Sequence, residues 1–569
     1  MAASADFVSI LFPDADNEKY RVLSEVTMHD LGFDQIVKEI SRKEAEQNLI
    51  LKILSKVSAD PEVSNFRADV FEDILMYPDL RKRMTELLEK VNFLKDFGSF
   101  KKDYEISAGA FDLMHRLEEI SEYIECVEAI HACLSDIPVK SRGLVSLREY
   151  VDGIFNENGF ESLKKDIKDL KADTYNLKSV TLGINLNDRY ECESVGLISV
   201  NNKKFSKSPI IGNFSDAILK KDNIHDGNAW DGSMRFQPIN QTDVDSTVGM
   251  ETAALAVMNP MIAASTMAHV AMGDSTEDMT RYLDRLMNHM ISNTVKRLKE
   301  VLSKYVTITI GKITSLIPEF MYYIRWAEYI ETLRTRGFVF NKAQAVSEPS
   351  VYMKAEGIYN LKLTGAVKSM DEVVTNDLTF DSDRLLYILT GANRGGKTTI
   401  TQAVGQLFVL AQGGIFIPGN SFVFSPTDAI FTHFPADEDK TLDLGRLGEE
   451  CKRFRDAYME ATGKSLLLLN ETFSTTSFEE GYFIAKDSAR AILKKGVRTI
   501  YNTHMHKLGF DIDELNSGDS DYKARSIIVK TEEGGKRSFH VTEAPPEGSS
   551  FANDIAKKYG VTYESLTEK

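Results

Sequence analysis

The chain has 569 residues, of which 43% are hydrophobic, and a formal net charge of −17. This length exceeds what one hydrophobic core organises, so roughly two to four domains are expected, and the apolar fraction excludes a largely disordered chain. The acidic balance, 85 acidic against 68 basic residues, weighs against a protein whose whole surface coats nucleic acid but permits a local basic face.

The cysteines and the lack of a recognisable secretory signal favour a reduced, cytoplasmic setting. Cys126, Cys133, Cys192 and Cys451 have spacings that fit neither a zinc site nor a disulfide framework, so free thiols are expected. Residues 253–272 are rich in Ala and Met and long enough to suggest a membrane span. They also contain Asn, Pro and His, so a buried or partner-facing helix pair is favoured and no membrane association is expected.

Residues 1–105 are predicted to alternate short extended pieces with amphipathic helices. The extended pieces fall near 7–27, and apolar residues recur at helical spacing over 42–57 and 80–94. A first, mainly helical domain is therefore expected here.

Residues 106–345 are predicted to be mainly long helices interrupted by a β-hairpin. Over 180–202, apolar residues such as Val180 and Leu182 alternate with other positions before a second apolar run. A polar connector that contains glycines follows near 206–248. This second region is expected to form a domain of its own.

A local excess of basic residues lies within the second region. Residues 163–222 contain eleven Lys or Arg against eight Asp or Glu. Contacts to a DNA backbone need such cations, yet the run near 164–173 alternates with acids and equally fits a solvated helix face. The lysines in question are Lys164, Lys165, Lys168, Lys171, Lys203, Lys204 and Lys207.

The third region, 346–569, alternates strands and helices around a glycine-rich loop, which indicates an α/β domain. An apolar strand over 385–389 runs into Gly391-x-x-x-x-Gly396-Lys397-Thr398, and a helix is predicted over 399–410. This spacing is typical of a phosphate-binding loop, and the alternative is a tight strand-to-helix turn without a ligand. The candidate nucleotide-binding residues are Gly391, Asn393, Arg394, Gly395, Gly396, Lys397, Thr398 and Thr399.

Two further apolar strands end in polar residues. Strand 465–469 leads into Asn470 and Glu471, and strand 497–501 leads into a segment that contains His504. Because ligand sites gather at the carboxyl edge of parallel strands, Glu471 is a candidate to orient an attacking water and Asn470 a candidate magnesium ligand. A solvated strand end and a structural histidine are the alternatives.

These elements together resemble the MutS-type ATPases of the ABC superclass. TGANRGGKTT (390–399) resembles the family's phosphate loop, and VTNDLTF (374–380) resembles the segment before it. SLLLLNETFSTTSFEEG (465–481), NTHMHKL (502–508) and GSSFANDIAKKYGV (548–561) resemble its acidic strand, histidine motif and closing helix.

The resemblance extends more weakly to residues 66–84 and 295–337, which are similar to the family's helical core and lever. It implies a multidomain fold in which a mainly α-helical core and lever region with a small β-hairpin precedes an α/β, ABC-type ATPase domain. The implied domains are 1–105, 106–345 and 346–569, and the hairpin is either a reduced DNA-gripping clamp or a hairpin packed on the core.

Members that read mismatches begin with an α/β domain carrying a Phe-x-Glu wedge, whereas this sequence enters the helical core almost at once. Phe155-Asn-Glu157 matches the wedge literally, but it lies in a helical stretch and is interpreted as an ordinary core phenylalanine. The chain ends at Lys569, soon after the ATPase motifs. It is therefore expected to lack the mismatch-recognition domain and the Smr tail of a second bacterial branch.

The resemblance also implies ATP and Mg²⁺ as cofactors. Lys397 would neutralise phosphate charge, and Thr398 with Asn470 would hold the metal. Glu471 would orient the attacking water, and His504 would sense the γ-phosphate. Asn470 stands where the family usually has aspartate, which removes one negative charge near the metal but keeps an oxygen acceptor.

A homodimer joined through the ATPase domain is implied as well, with the loop 473–476 approaching the partner's nucleotide. The segment 445–450, GRLGEE, lacks the serine that the family presents to the neighbouring γ-phosphate. Either hydrolysis is slow or the partner contact is built differently. Three functions remain open: an ATP-switched protein that binds distorted, mismatched or branched DNA, an ATP-switched module with a protein partner, and a nucleotide-binding structural protein with weak hydrolysis.

Overall fold

The computed structural model describes residues 9–14, 19–90, 110–156, 159–174, 179–186, 188–189, 192–201, 237–238, 292–302, 316–347, 353–381, 383–392, 395–435, 445–531, 537–546 and 559–567. The chain divides into two compact units. Unit 1 comprises Met1–Lys95, Ala129–Asp152 and Ser315–Lys569, and unit 2 comprises Asp96–Glu128 and Gly153–Thr314. Among the helices of the described ranges, none combines the length and hydropathy that a bilayer crossing requires.

The described helices and strands are named here in chain order. The helices are α1 (Glu25–Asp30), α2 (Phe33–Ile40), α3 (Glu44–Leu54), α4 (Pro61–Met76), α5 (Pro78–Lys90), α6 (Ala110–Leu134), α7 (Arg142–Asn156), α8 (Phe160–Thr174), α9 (Ser292–Leu302), α10 (Leu316–Thr335), α11 (Lys397–Gln412), α12 (Arg446–Glu460), α13 (Phe478–Lys495), α14 (His506–Phe510), α15 (Ile512–Asn516) and α16 (Tyr563–Thr567). The strands are β1 (Arg21–Val22), β2 (Lys56–Val57), β3 (Ser179–Leu186), β4 (Cys192–Asn201), β5 (Gln237–Pro238), β6 (Phe340–Asn341), β7 (Gln344–Ala345), β8 (Met353–Ile358), β9 (Asn376–Phe380), β10 (Arg384–Thr390), β11 (Ile417–Pro418), β12 (Ser421–Phe424), β13 (Ile430–His433), β14 (Leu466–Asn470), β15 (Arg498–Asn502), β16 (Lys523–Thr531) and β17 (Arg537–Glu543).

The helical part of unit 1 is organised around α10, which packs against α2, α3, α4 and α5. Trp326, Tyr322 and Tyr323 on this helix are fully buried. The Tyr322 hydroxyl donates a hydrogen bond of 2.9 Å to the Gly413 carbonyl, just after the end of α11. Because α10 is enclosed on most sides, it contributes apolar surface to the core without the one-sided pattern of a surface helix.

The central sheet of unit 1 has the strand order β13-β14-β15-β10-β16-β17. All neighbours in it are parallel except β16 and β17, which are antiparallel. Leu389 of β10 and Asn470 of β14 are both register partners of Asn502 in β15. The three strands therefore end at one edge of the sheet, and polar residues that follow them meet there.

Helix α11 follows β10 and is fixed by the N-terminal helices. Gln402 and Gln406 donate hydrogen bonds of 2.7 and 2.8 Å to the carbonyls of Asp30 and Leu31. Gly405 lets the two segments approach closely, because a Cβ atom there would lie 2.3 Å from a Leu31 methyl carbon. Residues about 370 positions apart thus hold the helix that starts at the glycine-rich loop.

Several element boundaries differ from the predicted ones. Helix α3 ends at Leu54 instead of continuing to 57, because Lys56 and Val57 form β2 and pair with β1. Helix α11 begins at Lys397, two residues before the predicted start. Strands β14 and β15 lie one residue later than predicted, so Asn470 and Asn502 are their last residues and belong to the sheet.

Unit 2 contains a three-stranded sheet in which β4 pairs with both β3 and β5 in the antiparallel sense. Strands β3 and β4 cover the range of the predicted hairpin, and its role as a clamp stays a prediction. Helix α8 belongs to the same unit. Phe155 lies in the last turn of α7 and is half-buried, with its ring 5.7 Å from that of Phe160.

Some predictions fall wholly or mainly outside the described residues. They concern the Ala/Met-rich segment 253–272, the connector near 206–248, the closing helix over 548–561 and Glu157 of the wedge-like triplet. Of the cysteines, Cys126, Cys133 and Cys451 are free thiols.

Candidate nucleotide-binding site

The loop between β10 and α11 has the backbone that its glycines predict. Gly391 and Gly396 have φ angles of 142° and 98°, which L-residues with a Cβ rarely adopt. A Cβ on Gly395 would lie 2.8 Å from the Ala392 carbonyl oxygen. Glycine is thus required at several points of this turn, while Asn393 and Arg394 lie outside the described residues.

Lys397, the first residue of α11, is buried, with 5% of its surface exposed. Its Nζ donates hydrogen bonds of 3.0 and 3.3 Å to the carbonyls of Gly391 and Ala392. Burial lowers the pKa of the Lys397 ammonium, and the nearby Glu471 carboxylate opposes part of this change. The ammonium is therefore held inside the loop, where an anion would relieve the cost of its burial.

Three polar side chains meet at the sheet edge beside the loop. The Thr398 hydroxyl donates a hydrogen bond of 3.0 Å to Asn470 Oδ1, and the Asn502 amide donates to the same oxygen. Thr398 and Asn470 together present a hydroxyl and an amide oxygen, which are the hard oxygen donors that Mg²⁺ accepts. The donor set fits the magnesium role predicted for these two residues.

Glu471 follows β14 with a φ of 54°, which is unusual for a residue with a side chain. Its backbone N–H donates a hydrogen bond of 2.8 Å to the Asn502 carbonyl, and this bond fixes the turn at the strand end. The Glu471 side chain lines the same cavity as Lys397 and Thr398. The predicted catalytic carboxylate, loop lysine and loop threonine are thus brought together.

The cavity has a volume of about 360 Å³. It is lined by the glycine-rich loop, Lys397 and Thr398 together with Tyr359, Val373 and Phe539. Ligand cavities of a few hundred cubic ångströms that combine apolar walls with a few polar groups are typical of small-molecule sites.

Phe539 also lines the cavity, although no sequence motif predicts a role for it. Its φ is 58°, and its ring lies close enough to the loop that a Cβ on Gly396 would contact it at 3.2 Å. The Asn376 side chain holds this turn, donating to the Phe539 carbonyl at 3.1 Å and accepting from the Val541 N–H at 2.7 Å. Only the pairing of β16 with β17 brings residue 539 to the loop, so no local signal pointed to it.

His504 lies just after β15 and is half-buried. It does not line the cavity described above, in contrast to Glu471. The next histidine, His506, feels the charge of the loop lysine. Burial lowers the pKa of its imidazole, and the charges of Lys397 and His504 lower it further. A γ-phosphate contact by His504 stays a prediction.

A third histidine, His433 at the end of β13, connects the loop after Glu471 with α12. Its Nε2 donates a hydrogen bond of 3.1 Å to the Glu450 carbonyl, and its Nδ1 accepts one of 3.0 Å from the Thr472 hydroxyl. Both bonds are satisfied by the neutral ring. Burial, aided by Arg453, lowers the pKa of His433 to about 4.

This buried histidine predicts a pH-dependent stability. Between its ordinary pKa of 6.5 and the folded value of about 4, a proton binds the unfolded chain but not the folded one, so stability falls as the pH drops through this window. The loss from this group at pH 5 is about 2 kcal/mol. His433→Gln keeps a donor and an acceptor but does not titrate, so its urea midpoint is expected to fall less than that of the wild type between pH 8 and pH 5.

His540→Gln is the matched control, because His540 is exposed. It is expected to keep the pH dependence of the wild type. Equal pH dependence of the wild type and His433→Gln would contradict the assigned burial of the neutral ring.

The loop 473–476, which is predicted to approach a partner's nucleotide, differs from that expectation at Phe473. The Phe473 side chain is buried, 5.4 Å from the Phe454 ring, and only Ser474, Thr475 and Thr476 of that loop reach the surface. The Glu450 carboxylate accepts a hydrogen bond of 3.1 Å from the Thr475 hydroxyl. Its negative charge is therefore engaged by the loop of its own chain.

A parallel sheet with a glycine-rich loop after β10 and polar residues at the neighbouring strand ends defines a P-loop domain. A family model described as MutS domain V matches residues 387–561, and one described as MutS2 N-terminal domain matches residues 59–336. The chain belongs to the MutS family.

Three similar curated proteins are each named DNA mismatch repair protein MutS. The chain is 30% identical to that of Thermotoga petrophila over 189 residues, which is 33% of this chain and 23% of that protein. It is 31% identical to that of Brevibacillus brevis over 224 residues, or 39% and 25% of the two chains. It is 29% identical to that of Lactobacillus delbrueckii subsp. bulgaricus over 209 residues, which is 36% of this chain and 24% of that protein. The chain thus matches about a quarter of the length of these relatives.

Proposed function

We propose that this chain is an ATP-dependent DNA-binding protein, in which ATP binding and hydrolysis change the grip on distorted, mismatched or branched DNA. The observation that carries the ATP part is the meeting of Thr398, Asn470 and Glu471 at one sheet edge beside a cavity. The DNA part is supported by the relatives, which are DNA mismatch repair proteins.

ATP fits the residues that line the cavity. Its polyphosphate is anionic and suits the buried Lys397 ammonium and the loop N–H groups at the start of α11, where the helix dipole favours negative charge. Its base is aromatic and suits the apolar and aromatic lining to which Tyr359, Val373 and Phe539 contribute. The Lys397 contacts to Gly391 and Ala392 would be exchanged for phosphate oxygens, which are stronger acceptors for a cation.

Hydrolysis would depend mainly on positioning and charge. Glu471 orients the attacking water and accepts its proton, and Lys397 offsets phosphate charge. His504 is outside the cavity lining, so its proposed contact requires the γ-phosphate to extend toward the end of β15. Thr398 and Asn470 would hold Mg²⁺, which supplies positive charge against the phosphates when bound. The backbone turn at Glu471 is fixed by the Asn502 carbonyl, which sets the point from which the carboxylate enters the site.

A homodimer through the ATPase domain belongs to the same proposal. The exposed part of the loop, Ser474 to Thr476, is the segment available to a second copy's nucleotide. The Glu450 carboxylate accepts a hydrogen bond from Thr475, which holds it on the loop of its own chain.

The DNA contacts are proposed for two lysines of α8. Lys164 pairs with Glu128 at 2.6 Å, and Lys171 pairs with Glu118 at 3.0 Å, so these two are already neutralised. Lys165 and Lys168 are exposed and lie three residues apart, on one side of the helix. Lys203, Lys204 and Lys207 lie outside the described residues.

The DNA part is tested by electrophoretic mobility shifts over a series of salt concentrations, with duplex, mismatched and four-way-junction DNA. Affinity is expected to fall as salt rises. Replacing Lys165 and Lys168 by alanine is expected to reduce the magnitude of the logarithmic slope by about 1 for each phosphate that the variant no longer neutralises.

Lys164→Ala with Lys171→Ala is the matched control on the same helix, and it should change the slope less because both cations are paired. Binding to none of the DNA forms would remove the DNA part and favour a protein partner for the same switch.

A second candidate function is nucleotide binding with little hydrolysis. It is favoured by the neutral amide of Asn470, because an aspartate at this position would contribute a full negative charge to the metal. The ATPase assay described in the Discussion separates the two candidates.

A further inference from the structure

Asn502 forms a buried amide pair with Asn470 that the proposed roles do not use. Both residues are the last of their strands and are direct register partners in the sheet. Asn502 has no exposed surface, and its amide nitrogen donates to Asn470 Oδ1. Its own oxygen, Oδ1, is buried and has no hydrogen-bond partner among the described residues.

We propose that Asn502 is a positioning residue that fixes the Asn470 amide with its oxygen, not its nitrogen, toward Thr398 and the metal position. The inference rests on the proposed function, because it assigns a role toward Mg²⁺-bound ATP. Asn470 itself is the ligand, and Asn502 acts through it.

The orientation follows from the number of groups that are left without partners. In the arrangement observed, the side-chain oxygen of Asn502, Oδ1, is the buried group of the amide pair that is left unpaired among the described residues. If both amides were rotated by 180°, Asn470 would donate to Asn502, and the buried position would hold an unpaired NH₂ group instead. A buried amide nitrogen without a partner carries two unsatisfied donors and is rarer than an unpaired carbonyl. Rotation of Asn470 alone would bring two NH₂ groups together.

The need for such a residue comes from the asparagine at position 470. A carboxylate has two equivalent oxygens and presents an acceptor to the metal in either orientation. An amide presents an acceptor in one orientation and a donor, which repels a cation, in the other. When Asn502 fixes its orientation, the Asn470 amide can therefore present an oxygen to the metal as an aspartate carboxylate would, although it carries no negative charge.

Replacing the Asn502 side chain leaves the rest of the site in place. The Glu471 N–H bonds to the Asn502 backbone carbonyl, and the Thr503 N–H bonds to the Leu389 carbonyl at 3.0 Å. Neither bond depends on the amide group. The side chain can thus be removed while the Glu471 turn and the register of β15 are kept.

The test measures binding of a fluorescent ATP analogue in the presence of Mg²⁺ and in the presence of EDTA, which needs no turnover. The ratio of the two dissociation constants is the Mg²⁺ enhancement. Asn502→Leu, which keeps the branched outline of the side chain, and Asn502→Ala are each expected to reduce this enhancement about tenfold, since loss of a residue that orients a metal ligand typically costs one to two orders of magnitude in metal affinity. Binding in EDTA should change less than about twofold, because the loop and Lys397 are untouched.

The decisive comparison repeats the substitutions in the Asn470→Asp background. There they should change the Mg²⁺ enhancement less than about twofold, because a carboxylate needs no orientation. Asn516→Ala is the matched control, since its amide bonds the backbone of Ala524 away from the loop.

Equal losses in both backgrounds would overturn the inference and assign Asn502 to packing, as would failure of both single variants to fold in circular dichroism. An unchanged enhancement in Asn502→Leu would overturn it as well. If the wild type itself bound no ATP, the proposed function would fail, which is a different result.

Discussion

Lys397→Met is expected to abolish ATP binding while leaving the fold intact. The ammonium is the charged group that faces the polyphosphate, and hydrogen bonds to charged groups contribute about 1.5 to 3 kcal/mol each. Removal of the hydrogen bonds to two phosphate groups should raise the dissociation constant at least about 100-fold. The measurement is equilibrium binding of the fluorescent ATP analogue, with Lys397→Ala as a second variant.

The stability of this variant is itself informative. Burial lowers the pKa of Lys397 in the absence of ligand, so the buried charge costs free energy in the folded state. A methionine of similar length removes that cost and fills the same space, and the melting temperature of Lys397→Met should equal or exceed that of the wild type. Loss of binding through unfolding is thereby distinguished from loss of the phosphate interaction.

Lys464→Ala is the matched control, because Lys464 is exposed in the turn before β14. It should bind ATP as the wild type does. Retained affinity in Lys397→Met would contradict the assignment of the loop as a phosphate site.

The strand ends of the site were predictable because each depends on a local pattern. An apolar run of five residues followed by a polar pair, as at Asn470 and Glu471, predicts both a buried strand and its functional edge. The glycine spacing from Gly391 to Gly396 likewise reflects backbone angles that few other residues adopt. These signals require no knowledge of which strands are neighbours.

The walls of the cavity and the amide pair were not predictable in the same way. Phe539 reaches the loop only because β17 closes the sheet beyond β16, and Asn376 holds it from a strand more than 160 residues earlier. Asn502 carries no local signal of its own, because its importance depends on the register of β14 and β15. Contacts of this kind are set by sheet order, which local periodicity does not encode.

The buried tyrosines of α10 and glutamines of α11 also make long-range contacts that the local sequence does not predict. Gln406 of α11 is fully buried. The apolar residues of this helix predict that it packs in the core, but they do not predict that a glutamine is buried with them. Its amide is satisfied by the Leu31 carbonyl, a residue in the loop between two short N-terminal helices. A buried glutamine is tolerated only where such a partner exists, and the sequence pattern gives no sign of it.

Glu471→Gln is expected to lower ATP turnover by about two to four orders of magnitude, because the amide cannot accept the proton of the attacking water. ATP affinity should stay within about twofold, since the variant keeps the size and hydrogen-bonding shape of the side chain. The measurement is steady-state release of phosphate at saturating ATP and Mg²⁺, together with the binding assay used for Lys397→Met. A variant that binds ATP but hardly hydrolyses it would also prolong any ATP-bound state of the DNA complex.

Glu479→Gln is the control, because Glu479 is an exposed carboxylate in the first turn of α13, a few residues beyond Glu471. Its turnover should match that of the wild type. The φ of 54° at Glu471 costs roughly 1 to 2 kcal/mol for a residue with a side chain, so a glycine would serve the backbone better if the carboxylate had no role. Equal, near-zero rates in the wild type and Glu471→Gln would leave this strained carboxylate without a catalytic task and would favour the nucleotide-binding protein with little hydrolysis.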